Sequence, residues 1–105
     1  MTGDDLPKLV RDRIPAIIRG DGADPVTEQV PDADVQDYLA DKLLEEAAEF
    51  RESGDVAELA DVLEVLQRLC QVEGMDWAEL EERRQAKRED RGGFDDNIVL
   101  RDIED

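Results

Sequence analysis

The stretch Leu43 to Leu66, LLEEAAEFRESGDVAELADVLEVL, decides how this chain is read. Its first half carries apolar residues at helical spacing, Ser53 and Gly54 interrupt it, and a second helical repeat follows. Asp55 with Glu58 three residues on makes a capping-box-like start, and Leu59, Val62, Leu63, Leu66, Leu69 and Cys70 continue the repeat without a gap. A connection of two or three residues makes the two helices antiparallel neighbours. The first is expected from about Asp34 to Glu52 and the second to about Glu73, where Gly74 stops it.

The same stretch holds a constellation of acids. At about 100° per residue, Glu46 and Glu49 lie about 60° apart on one helix, as do Glu58 and Asp61 on the next. Glu49 precedes the helix end by as much as Glu58 follows the helix start, about 4.5 Å in each case. Glu46 and Asp61 are one further step out, again level. Four carboxylates therefore form two facing rungs, provided the helices rotate toward each other. On the first helix Val35, Tyr38 and Leu39 define an apolar stripe, and extending it reaches Lys42, Glu46 and Glu49. Acids in a sector where core residues belong repel one another unless protonated or bound to a cation. The second helix leaves two readings open. Glu58 can complete the capping box, and Asp61 lies well off the apolar face as the sequence draws it.

Outward from this hairpin, a third helix is expected from Asp76 as N-cap to about Asp90, ending at Gly92 and Gly93 as a left-handed stop. Pro7, Pro15, Pro25 and Pro31 mark residues 1 to 34 as loosely structured, with one short helix, Ala16 to Arg19, opened by Pro15. Val26 to Val30 reads as a short edge strand, and NIVL, Asn97 to Leu100, offers a second strand for a small two-stranded ribbon. The expected fold is a single all-α domain over residues 1–105, an antiparallel bundle of about three main helices with a short N-terminal element.

Composition narrows the chemistry. Thirty acids against 13 bases give a formal charge of −17, and the lysines are only Lys8, Lys42 and Lys87. Such a surface repels nucleic acid and anionic membranes. It also suggests a halophilic setting, where molar salt screens self-repulsion within about 3 Å. With no histidine and a single cysteine, Cys70, the usual zinc ligands are missing, so a metal must sit on oxygen. Magnesium, manganese and calcium meet that condition. No apolar run is long enough for a bilayer and the N-terminus lacks secretory character, so a cytoplasmic protein is expected.

EExxE at Glu45 to Glu49 followed by ExxD at Glu58 to Asp61 resembles the signature of the all-α nucleoside triphosphate pyrophosphohydrolases, the MazG-like superfamily. Lys8 to Pro15, KLVRDRIP, and Lys87 to Phe94, KREDRGGF, resemble the opening and closing blocks of a small-protein branch of it. Glu49 and Glu58 stand closer in sequence than in many of its members. The resemblance implies magnesium, with manganese as a substitute, held by Glu46, Glu49, Glu58 and Asp61. It implies hydrolysis of a nucleoside triphosphate to the monophosphate and pyrophosphate, in a house-cleaning role. Glu45 or Glu49 would accept the proton of the attacking water, and residues do not separate base from ligand.

Lys87 and Arg91, one turn apart, either complement the third helix's dipole or reach substrate phosphates. Lys8 and Arg11 either pair with nearby acids such as Asp12 or bind phosphate. Lys42 is a charge-balancing partner or a substrate contact, and Trp77 and Asn97 read as packing and turn residues. Few aromatics and three helices leave an apolar face that a second copy would cover, so a homodimer is expected. Two rival readings are phosphoribosyl-ATP pyrophosphohydrolase and a non-catalytic acidic helical module that dimerises or docks a basic partner.

Overall fold

A computed structural model describes residues 6 to 104, and every helix in it has a local cause. Four helices follow in order: α1 (Ile14–Gly20), α2 (Asp32–Ser53), α3 (Ala57–Val72) and α4 (Trp77–Arg91). The fold class is all-α. Pro15 sits in the first turn of α1, where its missing N–H costs nothing, and Gly22 follows at a φ of 91°. Pro31 precedes α2 in extended conformation, and Asp32 and Asp34 place negative charge on its N-terminal turn. Gly54 ends it at a φ of 68°, its N–H donating to the Phe50 carbonyl at 2.7 Å.

The start of α3 is not the capping box that Asp55 and Glu58 suggested. The Ala57 N–H donates to Asp55 Oδ1 at 3.0 Å, while the Asp55 N–H donates to Ser53 Oγ at 3.0 Å. Ser53 has taken the donor that Glu58 would have capped. Glu58 is thus released from the cap and its carboxylate is left for the side of the helix.

The chain forms two compact units, one up to Gly74 and one from Met75. In the first, α2 and α3 lie against each other as the short connection requires. Val35, Leu39 and Val65 form the buried centre, with Leu43, Leu69 and Val72 packed around it. Leu9 and Val30, from the irregular segments on either side of α1, close over the same cluster. Removing these side chains from water is the main stabilising contribution, at roughly 1.5–3 kcal/mol for each one fully buried.

The second unit consists of α4 and the irregular residues after it, with no buried residue on the helix. Gly92 ends α4 at φ 84° and ψ 170°, a glycine conformation different from the left-handed stop expected there. Neither Val26 to Val30 nor Asn97 to Leu100 is a strand; both are irregular, so the ribbon is not formed. Prolines at both ends of the first segment restrict its ladder hydrogen bonds, and Val26, Ile98, Val99 and Leu100 stand exposed. Among the described residues, no helix is long and apolar enough to cross a membrane.

Candidate functional site

Periodicity alone left the rotation of α3 open: the run from Leu59 to Cys70 omitted Val65 but held Leu69, which packs on the core, and Cys70, which is buried. Its apolar residues span about half the circumference at 100° per residue, and either half could face inward. The structure seats Val65 and Leu69 against α2 and leaves Leu59 and Leu63 nearly half-exposed. On a helix of this pitch, Glu58 and Asp61 flank Val65 rather than lying off the inner face. The rotation that buries Val65 therefore brings both acids to the α2 side.

Five carboxylates converge as a result. Oxygens of Glu45, Glu46 and Glu49 lie within 4.8 Å of one another, and so do oxygens of Glu46, Glu58 and Asp61. Glu46 belongs to both groups and is the buried member, at 6% exposure. Its Oε1 accepts an ion pair from Lys42 Nζ at 3.2 Å, while its Oε2 is buried with no hydrogen-bond partner. An ionised oxygen cut off from water and left without a donor costs about 1–3 kcal/mol or more. That oxygen needs a proton or a cation.

Three basic side chains meet the cluster from outside. Lys42 Nζ also reaches Glu45 Oε2 at 3.3 Å, and Lys8 Nζ reaches Glu45 Oε1 at 3.3 Å. Arg11 Nη2 donates to Asp61 Oδ1 at 2.6 Å. Lys8 and Arg11 therefore join acids 37 and 50 residues away, not their neighbour Asp12. With every carboxylate ionised, five negative charges against three positive ones leave two uncompensated. That remainder is the charge of one divalent cation.

Proton affinities follow the same layout. For Glu45, desolvation works upward, but hydrogen bonds and charge from Lys42 and Lys8 outweigh it and hold the carboxyl below its ordinary range. For Lys42, desolvation works downward and is outweighed by Glu46 and Glu45, so the ammonium is held more firmly than usual. Glu49 is pushed up to about 7, first by a hydrogen bond with Glu46, then by desolvation and the charges of Glu46, Glu58 and Glu45. Two carboxylates make such a bond only when one carries a proton, so it forms only while the pair holds one. Glu58 is raised as well, by desolvation first and then by Asp61 and Glu46.

A hard cation requires oxygen donors and negative charge, and this cluster offers both, with one oxygen buried and unpartnered. Glu46, Glu49, Glu58 and Asp61 could hold the ion. Glu45, already occupied by two lysines, could orient a neighbouring group.

Lys87 and Arg91 lie exposed near the C-terminus of α4 in the second unit, where cations favour the helix dipole. The tight pair there belongs to Arg88, whose Nη2 is 2.6 Å from Asp95 Oδ2. Trp77 opens α4 at 39% exposure, and Asn97 is a turn residue at a φ of 56°. An open polar hollow of about 380 Å³, lined by Asp12, Glu64, Gln67, Arg68 and Gln71, has its arginine tied to Asp32 at 2.9 Å. What sequence reasoning missed was the joining of Lys8 and Arg11 to the acids, because no local pattern signals a contact across so many residues. Comparison with protein-family models, curated proteins and solved structures finds no match to this chain.

Proposed function

We propose that the chain is a magnesium-dependent hydrolase that cleaves a nucleoside triphosphate to the monophosphate and pyrophosphate, built on a MazG-like helical bundle. The observation that carries the reading is the buried, unpartnered Oε2 of Glu46 at the junction of two carboxylate triads. The bond cleaved and the substrate class rest on the resemblance of the EExxE, ExxD, KLVRDRIP and KREDRGGF blocks.

When bound, a divalent cation supplies charge neutralisation for phosphate oxygens and polarises water. Glu46, Glu58 and Asp61 would hold it from two helices, and Glu49, which groups with Glu46, would complete the set. We assign the proton-accepting role to Glu49, the exposed carboxyl of its triad. Glu45 is kept ionised by Lys8 and Lys42 and orients rather than accepts. Lys87 and Arg91 enter as phosphate contacts through the motif resemblance alone. A homodimer is part of the proposal, supported by Val56 just before α3 and by Leu59 and Leu63 on it, all of which stand exposed.

The test is a panel of nucleoside triphosphates with magnesium, at low and at molar salt, with monophosphate and pyrophosphate quantified. Release of both in equal amounts, abolished by Glu49→Gln with helicity intact, is the expected result. Release of orthophosphate instead would refute the bond assignment, and no turnover of any triphosphate would refute the enzyme reading.

A further inference from the structure

The acid cluster is crossed by a strap. Residues 8 to 11 run as irregular chain before α1, and Leu9 anchors them in the buried centre beside Val35, Leu39 and Val65. On either side of that anchor, Lys8 reaches Glu45 of α2 and Arg11 reaches Asp61 of α3. The two cations are not equivalent. Lys8 is 16% exposed and shares its carboxylate with Lys42, whereas Arg11 is 55% exposed and holds one oxygen through one nitrogen.

We propose that Arg11 stands in for a divalent cation at Asp61 and is evicted when that cation binds, which turns its guanidinium to an anionic, phosphate-bearing ligand. The inference rests on the reading of the acid cluster as a cation site. Asp61 lies in the triad with Glu46 and Glu58 whose oxygens gather within 4.8 Å, and a guanidinium and a dication compete for it by charge. The unpartnered Oε2 of Glu46, in the same triad, independently calls for a proton or a cation there. An exposed ion pair is weak, while a hard dication bound by several carboxylates is held strongly, so the exchange favours the dication. Once released, Arg11 remains tethered by Leu9 beside the site. Its planar fork of donors matches phosphate oxygens in a way an ammonium does not.

The experiment compares the parent protein with Arg11→Ala and with Arg13→Ala, the same charge change at an exposed position two residues along. Mn²⁺ binding is followed by electron paramagnetic resonance of the free ion, and inorganic pyrophosphate binding to the Mn²⁺-loaded proteins by calorimetry. Arg11→Ala is expected to tighten Mn²⁺ about two- to fivefold, the equivalent of an exposed ion pair. It should weaken pyrophosphate about tenfold, as expected on losing one charge-assisted hydrogen-bonding group. Arg13→Ala should change neither. Unchanged or weaker Mn²⁺ binding in Arg11→Ala, or unchanged pyrophosphate binding, overturns the proposal. Equal effects in Arg13→Ala overturn it as well, since bulk charge would then be the cause. Absence of saturable Mn²⁺ binding by the parent would instead refute the underlying cation site. Arg11→Gln serves where the alanine variant loses helicity, and loss of helicity in both assigns Arg11 to folding and overturns the proposal.

Discussion

Replacing Glu46 by glutamine should make the protein more stable without divalent cations and less stable with them. Glu46 is 6% exposed; one of its oxygens meets Lys42, and the other has no donor once the neighbouring Glu49 is ionised, above about pH 7. The glutamine carbonyl can keep the bond from Lys42 Nζ, while its amide can donate toward Glu49 where Oε2 has no donor at all. Relief of an unsatisfied buried acceptor is worth about 1–3 kcal/mol. Turning the charge-assisted bond from Lys42 into a neutral one gives back about 1 kcal/mol, because Lys42 retains Glu45 at 3.3 Å. The net gain is therefore about 1 kcal/mol, or about 4–8 °C in Tm for a unit of this size. Magnesium reverses the order. At a concentration about 100 times Kd it adds about 2.7 kcal/mol to a protein with an intact site, and glutamine removes the central ligand. Circular dichroism melts of both proteins, in chelator and in saturating magnesium, should show the two Tm values cross. A variant that melts below the parent in chelator, and still gains from magnesium, would refute the reasoning.

Two further outcomes follow from the same geometry. Glu49 has a folded-state pKa of about 7 against an ordinary 4.5, so the folded protein binds the extra proton and its stability falls as pH rises between those values. The full shift corresponds to about 3 kcal/mol, but Glu49 is exposed and screening reduces this to about 1–2 kcal/mol. Urea unfolding at pH 5 and pH 8 in chelator should show that loss, and both Glu49→Gln and saturating magnesium should flatten it. Leu39→Ala should cost about 2–5 kcal/mol by urea unfolding, because Leu39 is 2% exposed at the centre of the α2–α3 contact. An effect below about 1 kcal/mol would mean that contact is not the core.

Helices are local objects, so the sequence alone determined where they run. The 3.6-residue repeat, Pro15, Pro31, Gly54 and Gly74 placed α1 to α4 within about two residues of where they are found. The same local geometry set Glu46 on the inward stripe of α2, continuous with Val35 and Leu39, and set Glu58 and Asp61 at matching heights on α3, whereas Glu49, expected on that stripe, stands exposed. It went astray where a residue had two local options. Glu58 could have capped α3, and the choice fell to Ser53, whose hydroxyl took the Asp55 N–H.

The rotation of α3 was decided only by tertiary structure. A helix apolar over half its circumference can bury either half, and only contact with α2 selected Val65 and Leu69 over Leu59 and Leu63. That selection turned Asp61 from an outlying acid into a member of the Glu46 triad. The strap was likewise invisible in the sequence, since Lys8 and Arg11 find Glu45 and Asp61 only once Leu9 packs, partly buried, against the folded pair. Spacing along a chain can say which side chains share a face of one helix. Which faces meet is settled by the free energy of burying them against each other.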